Sequence, residues 1–272
     1  MVKTYVISEI GINHLGDLDK AKKMISLSAE YGADAVKFQS YKTDNRVNKD
    51  SNLYEILKKC ELSKIEQIEL FKYAKKENVD FISTPFDIYN LEFLFDIDID
   101  AIKISSFDIR NHFLLKKAYQ LNKTKKKPII ISTGMSTLNN IKKAVNIIKD
   151  NYTLLHCVSS YPLEEENLNL SKIKSLYDNF NCEVGYSDHS ANYIIPSCAV
   201  LCGASVIEVH FAITKNDPDY TVSLFDTDLK RAISYIRKIE ILLGNGEFGI
   251  KKGEQKFLEH RRITDEKGNT NQ

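Results

Sequence analysis

Short apolar runs recur along the chain, each followed by a stretch in which apolar residues return at helical spacing. Eight of these runs read as strands: residues 4–10, 35–39, 80–84, 101–105, 128–133, 153–159, 183–187 and 206–211. Between them, residues 18–31 set Ala21, Met24, Ile25 and Ser28 on one stripe, and residues 138–148 do the same with Ile141, Val145 and Ile148. Such stripes suit helices packed outside a sheet. Strands that are apolar on both faces and separated by helices imply a parallel sheet. Eight units in 272 residues, close to the ~250 typical of a closed parallel barrel, predict an α/β fold of the (β/α)8 TIM-barrel type over an open doubly wound sheet.

One segment breaks the rhythm. Residues 41–62 follow the second strand and are polar, with a helical patch near 53–60. A long loop at the carboxyl end of a barrel strand is either a substrate lid or a tolerated surface excursion. The longest uncharged run, residues 190–207, contains Asn192, Pro196 and Gly203 and reads as a buried helix leading into a strand, not as a membrane span. The N-terminus reads as a strand from the outset, with no signal-type cleavage site. The expected organisation is a barrel domain over residues 1–245, its last helix at 227–243, and a short C-terminal tail over 246–272 with no second domain.

Charge adds little: 38 Lys plus Arg face 37 Asp plus Glu, so no argument for nucleic acid arises from the balance. Five scattered cysteines without zinc-ribbon spacing read as reduced thiols of a cytoplasmic protein.

The chemistry is expected at the carboxyl ends of the strands. Strand one carries Glu9, strand two Lys37 and Gln39, strand three Ser83 and Thr84, and strand four Lys103 before Ser105 and Ser106. Strand five ends in Ser132 and Thr133, strand six has His156 before Ser159 and Tyr161, strand seven ends in Ser187, Asp188 and His189, and strand eight has Glu208 and His210. Polar groups inside apolar strands cost free energy unless paired, and a ring of eight is hard to explain by packing alone.

His189 and His210 are one β/α unit apart. On neighbouring strands about 4.8 Å apart and both pointing inward, two imidazoles can share one divalent ion with positions left open for water and substrate. The competing reading is a pair of hydrogen-bonded core histidines. Barrel closure sets Glu9 near His210, where it can orient substrate or move a proton; a salt bridge to Lys37 is the alternative. Lys37 and Lys103, amid Gln39, Thr84, Ser106, Ser132 and Ser187, suit a small dianion bearing phosphate and carboxylate. A buried lysine can equally be a Schiff-base nucleophile.

Other patterns are set aside. GNGEFG at 244–249 follows a helix instead of a strand. Consecutive Ser187, Asp188 and His189 alternate direction and cannot form a hydrolytic triad among themselves. The lysines of 123–127 precede strand five, at the opposite rim.

The segments SEIGINHLGD (8–17), GADAVKFQ (32–39), STPFD (83–87), KISS (103–106), STGM (132–135), LLHCVSSYP (154–162), VGYSDHS (184–190) and VIEVHF (206–211) resemble, in order, the sialic acid synthase (N-acetylneuraminate synthase) family, which includes legionaminate and pseudaminate synthases. The resemblance implies a metal-dependent transferase that condenses phosphoenolpyruvate with the aldehyde of an N-acylated hexosamine, for surface polysaccharide. It also implies a divalent metal, Mn2+ or Mg2+, on His189 and His210, and a homodimer. Lys37, Thr84, Lys103, Ser106, Ser132 and Ser187 would hold phosphoenolpyruvate, while Glu9, Tyr161 and Asp219 would serve the sugar or its proton transfers.

Three departures from the family pattern stand out. The antifreeze-like domain that commonly follows the barrel and lends an arginine to the partner's sugar pocket is not in this sequence; a separate protein, or Arg261 or Arg262, is expected to substitute. Phe107 and Asp108 stand where Gly and Glu are common, which implies an altered sugar pocket. The segment after His210 is shortened, so Asp219 rests on a gapped match. Two further functions stay open: a Schiff-base lyase using Lys103, and a noncatalytic sugar-acid-binding barrel acting with a partner.

Overall fold

The computed structural model describes residues 3–160, 163–264 and 270–271. Eight strands, β1 (Tyr5–Gly11), β2 (Ala35–Ser40), β3 (Asp80–Pro85), β4 (Ala101–Ile104), β5 (Ile129–Ser132), β6 (Tyr152–His156), β7 (Glu183–Asp188) and β8 (Val206–Ala212), each pair with the next. β1 also pairs in parallel with β8, from Tyr5↔Val206 to Glu9↔His210, and so closes the barrel. A short β9 (Ser223–Phe225) adds to β8.

The main helices between strands are α1 (Leu18–Glu30), α2 (Thr43–Arg46), α3 (Tyr54–Lys59), α4 (Lys64–Lys76), α5 (Ile88–Asp96), α6 (His112–Lys125), α7 (Leu138–Ile148), α8 (Lys172–Phe180), α9 (Ile195–Leu201) and α10 (Asp226–Leu243). Side-chain oxygens start several of them: Asp17 caps α1, Ser63 forms a capping box with Glu66 on α4, and Thr137 pairs with Asn140 on α7. The uncharged run becomes α9, with Pro196 in its first turn where a missing N–H costs nothing, and leads into β8. Among the described residues no helix is long and apolar enough to cross a membrane.

Side chains alternate along a strand, so every second residue enters the barrel. Ile7, Ala35, Ile82, Ala101, Ile130, Leu155 and Val206 form one apolar plug, separate from the larger core between sheet and helices. Two residues further along each strand stand Glu9, Lys37, Thr84, Lys103, Ser132, Cys157 and Glu208. The plug therefore positions a polar layer directly above it. Gly185 completes the plug on β7, because a Cβ there would lie 2.2 Å from the Val206 carbonyl oxygen and 2.6 Å from Leu155 Cδ2.

β6 stops at His156, short of the expected residue 159. Its partner β5 ends at Ser132, paired with Leu155, and the chain beyond serves the cavity instead of the ladder. The insertion 41–62 is ordered into α2 and α3 around a small cluster of Ile12, Tyr41, Leu57 and Cys60. Tyr41 donates to the Leu57 carbonyl at 2.9 Å, and Cys60 Sγ to the Ile12 carbonyl at 3.3 Å.

Glu61 clasps the insertion, accepting from Lys42 at 2.9 Å, from the Thr43 amide at 2.9 Å and from Lys58 at 3.1 Å. Burial alone would raise its pKa, but these donors outweigh it and pull the carboxyl down to about 2. A carboxylate with a depressed folded pKa contributes stability above its unfolded value, and that contribution disappears as pH falls through the folded one. Acidification from pH 5 towards 2 is therefore expected to loosen residues 41–62. Hydrogen exchange should show Glu61→Gln loosened already at pH 7, whereas equal protection of both proteins across that range would contradict the clasp.

Candidate active site

The polar layer opens into a cavity of about 610 Å³ at the carboxyl ends of the strands. It is lined by Glu9, Lys37, Gln39, Thr84, Lys103, Ser106, Ser132, Ser187, His189, His210 and Asp219. Eleven of the thirteen site residues expected from the sequence thus share one space. Ser159 lies just behind it, against Gly134, and Tyr161 lies outside the described residues.

At the floor, four charges interlock. Lys37 Nζ is 2.8 Å from Glu9 Oε2 and 3.6 Å from Glu208 Oε2, while Lys103 Nζ is 3.8 Å from Glu208 Oε1. Lys103 also donates to Ser132 Oγ at 2.6 Å, Lys37 to Thr84 Oγ1 at 3.3 Å, and Ser187 Oγ to Glu208 Oε1 at 2.9 Å. The sequence alternatives for Glu9, a salt bridge to Lys37 or a place beside substrate, are both present in this geometry.

Burial and pairing pull these groups apart. Glu208 is driven up by burial, but Lys103, Lys37 and Ser187 outweigh that and hold it at about 2. Glu9 moves the other way, because its burial exceeds the help of Lys37 and His210. Burial depresses Lys103 and the nearby Lys37 adds to the effect; Lys37, with two carboxylates, ends above its ordinary value despite its burial. Glu208 is thus the carboxylate held most firmly in its ionised form, and Glu9 the one whose charge burial opposes.

The two imidazoles stand across the cavity mouth with ring centroids 5.2 Å apart. His189 Nδ1 donates to the Val158 carbonyl at 2.9 Å, which fixes the neutral tautomer with the lone pair on Nε2. Burial, then His210, push His189 down to about 4. His210 Nδ1 is buried without a hydrogen bond, 3.5 Å from Asp219 Oδ2. Asp219 is itself held by Asn13, whose Oδ1 accepts from the Asp219 amide at 2.8 Å and whose Nδ2 donates to the Phe211 carbonyl at 2.7 Å.

Among the described residues no group of three or more His, Cys, Asp or Glu forms a closed metal cage. The residues present fit an open site instead. One imidazole is oriented by a backbone carbonyl, as ligating histidines are, and the other carries an unsatisfied buried nitrogen beside a carboxylate.

A second cradle lies on the β4–β6 side. The Gly134 amide donates to Ser106 Oγ at 3.1 Å, and Ser106 Oγ is 3.1 Å from Cys157 Sγ. A Cβ on Gly134 would approach Ser159 Oγ to 2.4 Å, Ser106 Oγ to 2.8 Å and Cys157 Sγ to 3.0 Å. Gly134→Ala is expected to displace these hydroxyls and weaken the binding of inorganic phosphate about tenfold or more, read by titration calorimetry. An unchanged affinity would show the cradle to be unused.

Four contributors escaped the sequence reading. Glu208 was seen on its strand but given no role, although it joins both lysines. Cys157 sits two residues after the plug residue Leu155, a signal that strand parity contains. Asn13 comes from the turn after β1 and Arg46 from the short helix α2, and neither carries a periodic signal. The insertion proves to be a wall of the site: Asn45, Arg46, Val47, Leu53, Ile56 and Leu57 line the cavity. Phe107 and Asp108 line it too, with Asp108 accepting from Ser105 Oγ at 2.6 Å. Arg261 and Arg262 are exposed and do not line it.

The chain is 40% identical to N,N'-diacetyllegionaminic acid synthase of Campylobacter jejuni, over 95% of this chain and 83% of that protein. It is 36% identical to N-acetylneuraminate-9-phosphate synthase of Drosophila melanogaster, over 87% of this chain and 68% of that one. The crystal structure of N-acetylneuraminic acid synthetase from Leptospira borgpetersenii superposes with a TM-score of 0.89 at 35% identity, covering 95% of this chain and 91% of that chain. The NeuB family model matches residues 24–248, the greater part of a barrel whose charged floor and facing imidazoles have just been described, and the chain belongs to the NeuB family.

Proposed function

We propose that this protein is a synthase that joins phosphoenolpyruvate to the open-chain aldehyde of an N-acylated hexosamine, giving a nonulosonic acid and inorganic phosphate. The observation that carries the reading is one cavity in a NeuB-family barrel that holds two buried ammonium groups at its floor and two imidazoles at its mouth. Named relatives make legionaminic, pseudaminic and N-acetylneuraminic acids, in the last case as the 9-phosphate.

Lys37 and Lys103 hold the anionic donor, with the hydroxyls of Thr84, Ser106, Ser132 and Ser187 turned to its oxygens. Carbon 3 of the enol attacks the aldehyde carbon, water adds at carbon 2, and the C–O bond to phosphate breaks. Glu9, whose carboxyl is lifted by burial, passes a proton to or from the new alkoxide or the attacking water. Asp219, fixed by Asn13, orients the sugar beside His210. His189 and His210 would hold a divalent ion, Mn2+ or Mg2+, which when bound supplies Lewis acidity to the aldehyde oxygen. The donor substrate is a central metabolite, which agrees with a cytoplasmic reaction.

The depressed pKa of Lys103 favours one second reading, an imine-forming lyase. A single experiment separates the two. The synthase releases phosphate only with both substrates present and leaves no borohydride-trapped adduct with pyruvate. An adduct on Lys103, without phosphate release, would replace the synthase by the lyase.

A further inference from the structure

The insertion brings one cation to the cavity mouth. Arg46, at the end of α2, is the only arginine among the described residues that lines the cavity. Its guanidinium carbon lies 3.8 Å from the centroid of the Phe86 ring and 4.6 Å from that of Tyr41. Nη1 donates to Gln39 Oε1 at 2.8 Å, and Gln39 Nε2 donates onward to Glu9 Oε1 at 3.3 Å. Two rings and a hydrogen bond thus fix the fork relative to the catalytic floor.

A guanidinium has five N–H donors. Among the described residues one hydrogen bond engages this one, and the remaining edge is available to the cavity. A cation tethered only to hold a loop has no need of a rigid fork at a site mouth. Towards the cavity its neighbours include the apolar side chains of Ile12, Val47, Leu53, Ile56 and Leu57, and it also lines a polar surface pocket with Asp44, Asn45, Asn48, Asp50 and Ser51. The other charges near it at the mouth are the carboxylates of Asp108 and Asp219, whereas both lysines lie on the floor against Glu9 and Glu208.

Resting on the synthase reading above, we propose that Arg46 is a specificity-determining residue for the acceptor, its fork donating to an uncharged acyl oxygen of the sugar while the apolar wall takes the acyl methyl. A phosphate would demand several converging cations. Here a single one lines the cavity together with the carboxylates of Asp108 and Asp219, so the acceptor is an unphosphorylated N-acylated sugar.

The test is steady-state phosphate release with phosphoenolpyruvate and three acceptors: N-acetylmannosamine, its 6-phosphate, and 2,4-diacetamido-2,4,6-trideoxymannose. With the better uncharged sugar, Arg46→Ala is expected to raise the acceptor KM about 10- to 100-fold while the phosphoenolpyruvate KM moves less than about twofold. Arg46→Lys recovers little, because an ammonium is a point charge without the fork. Equal rises in both KM values, or preference for the 6-phosphate, would each overturn the assignment. Silence of the wild type with all three sugars would instead remove the synthase reading, and this assignment with it.

Discussion

Replacing both His189 and His210 by alanine is expected to lower turnover about 1,000-fold or more while phosphoenolpyruvate still binds. The imidazoles stand at the mouth, 5.2 Å apart, and neither is hydrogen-bonded to Lys37 or Lys103 at the floor. On the proposed reaction their loss therefore removes the end assigned to the aldehyde without dismantling the floor assigned to the anion. Phosphate release would report the first, and protection of the protein against thermal unfolding by phosphoenolpyruvate the second. The same double variant should no longer retain Mn2+ in equilibrium dialysis. Full turnover would refute the role assigned to the rings, and loss of phosphoenolpyruvate protection would refute the division of the cavity into two ends.

Glu208→Leu should be the most destabilising change at the floor. The carboxylate lies between two fully buried ammonium groups and accepts from Ser187. Removing one partner of a buried charge network leaves the others uncompensated and costs about 3–5 kcal/mol. In a domain of this size that lowers the melting temperature by roughly 10 °C. Phosphoenolpyruvate should restore more stability to the variant than it adds to the wild type, because the bound anion supplies the missing negative charge. Melting at the wild-type temperature, or equal stabilisation of both proteins by the anion, would show that Glu208 does not balance the lysines.

The barrel was legible in the sequence because its physics is periodic. Each strand alternates faces, and each helix has one apolar stripe, so the order of elements and the strand ranges, to within a residue at every strand but β6, follow from spacing. The cavity floor was legible for the same reason: Glu9, Lys37, Lys103 and Glu208 each stand two residues after a member of the apolar plug. What stayed hidden depends on contacts between loops far apart in the chain. Asn13 reaches Asp219 across about two hundred positions, a separation of 206 residues, and Arg46 finds its rings only when the insertion folds back over the mouth. Spacing carries β6 too far, because Cys157 and Val158 keep a strand-like pattern after β5 has ended at Ser132.

The insertion supplies three of the four buried residues of its small core, the fourth being Ile12, and Glu61 clasps its two ends together. Together with Ile12 and Phe86 it is therefore an exchangeable cassette. A chimera that received residues 41–62 from another barrel of this kind would inherit a different sugar preference on an untouched donor pocket, so diversification of the product needs no redesign of the strands beneath.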